Sequence, residues 1–160
     1  MKEVSLRPLT KEDGPMVTNF MQDQWGSNRV VSKGRVLYPA QLEGFAAVRD
    51  EKVVGLVTYR VDDDECEVVT INSLTEGTGI GSSLLNAVRD AAVKARCRRL
   101  WLITTNDNLS ALRFYQKWGL KITAVYPNAL ERSRRLKPEI PLLGKEGIPL
   151  RDEIELEMFL

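Results

Sequence analysis

The sequence predicts a mixed α/β fold with a single sheet, on three observations. Strand-like and helix-like apolar patterns alternate along its 160 residues. Three apolar runs follow one another at 44–49, 53–61 and 66–73, separated only by short charged turns, which reads as an antiparallel meander. After the third run, Gly77, Gly79 and Gly81 stand at alternate positions where a strand gives way to an amphipathic helix. The chain is predicted to form one domain over 1–160, long enough to bury a single core.

Taken in order, Val4 to Leu9 is a short strand, and Thr10 is a candidate N-cap for a helix over Lys11 to Gln24. Met16, Val17, Phe20 and Met21 share one face of that helix, and Trp25-Gly26-Ser27-Asn28 breaks it. The stretch Arg29 to Ala40 is open between strand, loop and a flap on the substrate side. The meander follows, its second turn made by Asp62-Asp63-Asp64, an acidic triplet read as a solvated turn in preference to a metal site. Leu84, Leu85, Val88, Ala91, Ala92 and Ala95 set the helix after the glycines. Arg98 to Thr105 is a strand, Leu109 to Trp118 a helix closed by Gly119, and Leu120 to Tyr126 another strand. Asn128 to Lys137 is a basic helix stopped by Pro138. The Pro/Gly-punctuated stretch 140–150 belongs to an insert at 127–151, before a last strand from Glu153 to Met158. That strand alternates strictly. Its acidic face, Glu153, Glu155 and Glu157, either attracts a cationic amine or, more economically, is solvated charge on an edge strand.

Composition narrows the chemistry. A formal net charge of +1 gives no electrostatic reason to expect nucleic acid or a membrane surface. No apolar run has the length of a signal peptide core or a membrane span. The two cysteines, Cys66 and Cys97, read as bystander thiols and not as a disulfide framework, so a cytoplasmic setting is expected. There is no histidine. His-based triads, the commonest metal ligands and the usual general base are therefore absent, and no metal site is read.

The glycine turn is an anion site in outline. A helix start offers unpaired N–H groups and the positive end of the dipole, and glycine lets a ligand approach the backbone. A flexible turn without a ligand is the alternative. A P-loop would need Lys after the glycines, and none follows. A dinucleotide fingerprint would need its third glycine elsewhere, early in a βαβ unit. Neither fits.

GTGIGSSLL resembles the pyrophosphate-binding turn of the GNAT N-acyltransferase superfamily, and NLSALRFYQKWGL resembles that family's second signature, N-x-x-A-x-x-F-Y followed by a glycine. The element order is similar as well. The resemblance implies a mostly antiparallel sheet with flanking helices and a splayed central strand pair, here Cys66–Ser73 and Arg99–Thr105, that holds acetyl-coenzyme A. Ile71, Asn72 and Ser73 would pair with the pantetheine arm. The N–H groups of Gly77, Thr78, Gly79, Ile80, Gly81, Ser82 and Ser83 would hold the pyrophosphate. Asn108 would hold the pantetheine side or cap its helix.

The implied reaction is direct attack of a primary amine on the thioester in a ternary complex. Tyr115 would contact the coenzyme and act as the acid. Glu67, four residues before Ile71, would be the base, with Glu65 or water as alternatives, and a strand N–H near Ile71 would serve the oxyanion. The insert would shape the acceptor site. The basic run Arg132, Arg134, Arg135 and Lys137 would meet an acidic acceptor or the coenzyme's 3′-phosphate, unless it is a solvated helix face. One position departs from the family pattern: Glu76 stands where Arg or Gln is usual, or the turn is about two residues shorter and lacks that residue. Backbone N–H groups then carry most of the phosphate binding, with Arg113 or Lys117 as candidates to compensate. A catalytically weak acyl-coenzyme A sensor is the alternative function. A homodimer is left open.

Overall fold

The computed structural model describes residues 3–75 and 77–160. At its centre three strands run antiparallel: β4 (Glu43–Arg49), β5 (Lys52–Asp62) and β6 (Glu65–Ser73). Their turns put Asp50, Glu51 and Asp63 at positive φ, a conformation short polar side chains tolerate better than β-branched ones. β1 (Ser5–Pro8) lies on the outer side of β4. Beyond β6 come β7 (Arg99–Thr105), β9 (Glu153–Phe159) and β8 (Lys121–Tyr126), giving the order β1-β4-β5-β6-β7-β9-β8. All neighbours are antiparallel except β6 and β7.

Helices cover both faces. α1 (Gly14–Trp25) buries Val17, Phe20 and Met21 against Ala46 and Leu56 on one face of the meander. α2 (Ile80–Lys94) buries Ile80, Leu84, Leu85, Val88 and Ala92 against Ala47 and Val57 on the other. The alternation of Ala46 with Ala47 and of Leu56 with Val57 is the period-two pattern of strands buried on both sides. α3 (Leu109–Trp118) packs on the same layer as α2, and α4 (Ala129–Leu136) opens the insert.

Two expectations need correcting, and one open stretch is resolved. α1 begins at Gly14 and not Lys11. Lys11–Asp13 forms a 3₁₀ turn in which Asp13 accepts from the Thr10 N–H at 2.7 Å and from Arg7 at 2.9 Å, and Pro15 then sits in the first helical turn, where its missing N–H is harmless. The open stretch is a hairpin, β2 (Val30–Ser32) with β3 (Arg35–Leu37), turned by Lys33 and Gly34 at φ 51° and 73°. Finally, β9 is an inner strand between β7 and β8. Glu153 and Glu155 are buried, so they are not solvated edge charges.

Candidate active site

β6 and β7 pair in parallel only from Glu65↔Arg99 to Val68↔Leu102. A one-residue bulge at Val69, where Thr58↔Thr70 gives way to Tyr59↔Val68, bends β6 at the point where the pairing stops. Beyond it the two strands part, and residues 69–73 have no strand partner on the β7 side. A cleft of about 890 Å³ opens there. Ile71, Asn72 and Ser73 form one wall, Ile103, Thr104 and Thr105 the other.

At one end of the cleft sits the glycine turn. Gly77, Thr78, Gly79, Ile80, Gly81 and Ser82 all line it. The three glycines answer two different needs. Gly77 and Gly79 have φ of 74° and 80°, the left-handed region, and a Cβ at either would meet no atom within 4 Å, so that side of the backbone is open to a ligand. Gly81 lies under the Phe114 ring, where a Cβ would stand 3.0 Å from Cζ. The helical ladder starts with Ser83 N–H donating to the Gly79 carbonyl at 3.0 Å, leaving the N–H groups of Ile80, Gly81 and Ser82 ahead of it. Ser83 therefore differs from expectation: its N–H is used within the helix, and the residue is exposed and outside the cleft lining. Glu76 lies outside the described residues. Of its two suggested substitutes, Arg113 lines the cleft and Lys117 does not.

α3 supplies the next group of residues. Tyr115 lines the cleft from a buried position, and burial pushes its phenol above the ordinary range, so it stays protonated at neutral pH. Asn108 also lines the cleft. Its side chain caps no helical N–H; Oδ1 accepts from Ser110 Oγ at 3.4 Å and from Lys145 Nζ at 3.1 Å. Lys145 belongs to the insert, as does Gly144, which packs so closely on Asp107 that a Cβ would stand 2.1 Å from Oδ2. Asp107 itself accepts from Thr105 Oγ1 and from the Lys145 N–H at 2.9 Å. The insert is thus fastened beside the start of α3. Arg134 fastens it further, donating to the carbonyls of Ile140, Pro141 and Leu150 at 3.3, 2.8 and 2.5 Å, while Lys137 donates to the Arg29 carbonyl. Those two basic residues tie the chain together and are not a solvated face. Arg132 and Arg135 are exposed.

At the other end of the cleft, which Glu67 and Glu153 line, a cluster of charged residues stands behind the wall. The β2–β3 hairpin covers the face of β7 and β9 that carries Trp101, Glu153, Glu155 and Glu157. Lys33 Nζ meets Glu155 at 3.0 Å and lies 5.0 Å above the Trp101 ring. Arg35 grips both oxygens of Glu67 at 2.9 and 2.7 Å, with Arg60 at 3.7 Å, and stands 5.6 Å from Trp101. Arg99 completes the cluster, meeting Glu65, Glu155 and Glu157 at 3.0, 2.5 and 2.7 Å. Burial acts to raise the Glu155 carboxyl, but bonds from Tyr126, Arg99 and Lys33 outweigh it and hold the group below its usual range. Glu67, expected to be the proton acceptor, lines the cleft, but both its oxygens already accept from an arginine. That is a poor setting for a base.

Lys33, Arg35, Asp107, Lys145 and the strand glutamates as partners of cations were not anticipated. For the hairpin a faint signal exists, the Lys-Gly pair between two β-branched runs. For Asp107 only its place beside Asn108 hints at a role.

Comparison with known proteins places this architecture. The model of the acetyltransferase (GNAT) family matches residues 11–120, which span the glycine turn and all of α3. The protein YdhI of Bacillus subtilis (strain 168) is 44% identical over 140 residues, covering 87% of this chain and 88% of its own. Among solved structures, an IAA acetyltransferase from Bacillus cereus ATCC 14579 superposes with a TM-score of 0.78 at 23% identity, covering 99% of this chain and 100% of that one. A GNAT family acetyltransferase from Elizabethkingia anophelis with acetyl-CoA bound gives a TM-score of 0.70 at 21% identity, over 100% of both chains. A splayed strand pair, a glycine turn at a helix start and a tyrosine on the following helix thus occur in a chain that belongs to the GNAT acetyltransferase family.

Proposed function

We propose that the chain transfers an acetyl group from acetyl-coenzyme A to a primary amine, by direct attack within a ternary complex. The observation that carries this reading is the cleft itself: two strands that stop pairing, and at its end a helix start with open space over Gly77 and Gly79. A pyrophosphate fits on the N–H groups of residues 77–82, with Arg113 as the nearby positive charge in place of the family's usual basic residue. The pantetheine arm pairs with Ile71, Asn72 and Ser73, and Asn108, together with Lys145, borders its path. A β6 N–H near Ile71 faces the thioester oxygen.

Tyr115 is the proton donor to the leaving thiolate. A phenol raised by burial is a weaker acid than usual, while a thiol has a pKa of roughly 8.5. The transfer therefore needs the two atoms in direct contact, not a free equilibrium. Glu67 holds Arg35 and, through it, the hairpin over the reacting end; its own part in taking a proton requires Arg35 to release it. The free, buried thiols Cys66 and Cys97 fit a cytoplasmic setting.

The Arg35 clamp on Glu67 also favours a second reading, an acyl-coenzyme A sensor with little turnover. Thermal shift with coenzyme A against ATP tests the site. A rise in Tm with coenzyme A alone is expected; stabilisation by ATP alone sinks both readings. Release of free thiol from acetyl-coenzyme A over a panel of primary amines separates enzyme from sensor.

A further inference from the structure

Among the described residues four buried carboxylates lie in or beside the cleft, and two, Asp107 and Glu153, have no cation in hydrogen-bond contact. Asp107 has each oxygen taken by a separate donor, Thr105 Oγ1 and the Lys145 N–H, and Glu153 does not. Glu67 is taken by Arg35, and Glu155 by Lys33, Arg99 and Tyr126. Glu153, 2% exposed and in the cleft lining, accepts among the described residues only from the Lys33 backbone N–H, at 3.2 and 3.4 Å. The residue before Lys33 is Ser32. It also lines the cleft, and its buried Oγ has no hydrogen-bond partner among the described residues. A carboxylate and a hydroxyl, both buried and both short of partners, are costly unless a ligand completes them. Two acceptors call for a donor with several N–H groups.

We propose that Glu153 and Ser32 bind the ammonium group of the acetyl acceptor, and that Glu153 takes its proton. The assignment rests on the acetyltransferase reading for its chemistry, though not for its binding site. One N–H bond of the ammonium breaks, its electrons stay on nitrogen, and the proton goes to Glu153. The freed lone pair forms the C–N bond at the thioester carbonyl. The C–S bond then breaks, its electron pair leaves on sulfur, and the thiolate takes the Tyr115 proton. The second proton lost by nitrogen returns to Tyr115 through water, and Glu153 releases its own to solvent.

The surroundings suit the task. Burial raises the Glu153 carboxyl above its usual range; the Lys33 N–H, Arg35 and Lys33 from the hairpin and Arg132 from α4 oppose that rise without cancelling it. Tyr126 on β8 and Thr105 on β7 are its cross-strand neighbours, both neutral near pH 7. The base form is present above the raised pKa, so the rate falls as pH drops through a value above the ordinary carboxylate range.

The test labels glutamate carboxyl carbons in the full chain with ¹³C and identifies Glu153 by the signal lost in Glu153→Gln, a variant whose amide oxygen still accepts from Lys33. On titration with n-butylamine hydrochloride near neutral pH, the Glu153 signal is expected to move saturably, and Ser32→Ala to weaken that response at least threefold. No movement, or the same movement with tetramethylammonium, which donates no hydrogen bond, overturns the proposal. Thiol release with n-butylamine, lysine methyl ester and spermidine adds a kinetic arm. Glu153→Gln should lower kcat by about 100-fold and abolish the acid-side fall in rate with the KM for acetyl-coenzyme A unchanged. If Glu67→Gln abolishes that fall and Glu153→Gln does not, the assignment is wrong. Where none of these amines is acetylated, the binding measurement decides alone. Failure of coenzyme A to stabilise the protein would instead remove the acetyltransferase reading and leave the amine titration interpretable.

Discussion

From the α2 turn to the β2–β3 hairpin the surroundings of the cleft change from a region shaped by backbone to one held by charged side chains. At the turn, a helix start aims N–H groups outward and two glycines take the left-handed region. Under the hairpin, ion pairs join residues 32 and 122 positions apart, Arg35 with Glu67 and Lys33 with Glu155. Local geometry is written in neighbouring residues. Long-range pairing is written nowhere until the strands are in order.

The sharpest way to break that contrast is at the turn. Gly79→Val forces a β-branched side chain into φ 80° and fills the open side of the backbone, so affinity for coenzyme A should fall by more than about 100-fold, measured by calorimetry. Retained affinity would show that the turn does not hold the anion. Tyr115→Phe comes next. The loss of a positioned acid should lower kcat by about 100-fold with coenzyme affinity little changed, and equal loss of both would make Tyr115 a packing residue only.

Arg35→Ala probes the charged half. It leaves Glu67 buried with only Arg60 at 3.7 Å. Removing one partner of a buried pair typically costs 3–5 kcal/mol; with the Arg35 side chain one-third exposed, about 2 kcal/mol is expected in chemical denaturation. Coenzyme A affinity should stay within about twofold, and a larger loss would mean the halves are coupled. The smallest effect lies outside the cleft, at the start of α1. Arg7 first, then the Thr10 N–H, hold the Asp13 carboxyl down at about 2, against 3.8 unperturbed. Its folded pKa is depressed, so its stabilisation is complete above about 4 and is lost as pH falls toward 2. Asp13→Asn should lower stability above about pH 4 and flatten its fall between about 4 and 2.

The same contrast explains what could be read in advance. α3 was legible to the residue, because Leu109 to Trp118 has clear periodicity and Gly119 ends it. The glycine turn and the splayed strands followed from motif and order. The hairpin was only faintly legible: its Lys-Gly pair hints at a turn, but the turn puts Lys33 at φ 51°, a conformation that lysine rarely adopts. The setting of Glu153 and Glu155 was not legible. Strict alternation correctly marked a strand with an acidic face, but edge or centre is decided by sheet order, and β8 arrives in the sequence before the strand that it flanks. Arg134 looked like one charge in a basic run; its three carbonyl partners come from a loop with no periodicity to read.

Trp101 lies where the hairpin meets the sheet, its ring within 5.0 to 5.6 Å of Lys33, Arg35 and Arg99. Two of those cations ride on the hairpin and one on the sheet. Lifting the hairpin would strip two charges from the indole and admit water, shifting its emission to the red. With Trp25 and Trp118 replaced by Phe, the emission of Trp101 would serve as an optical gauge of whether the hairpin sits on the sheet, readable in a stopped-flow cuvette without any label.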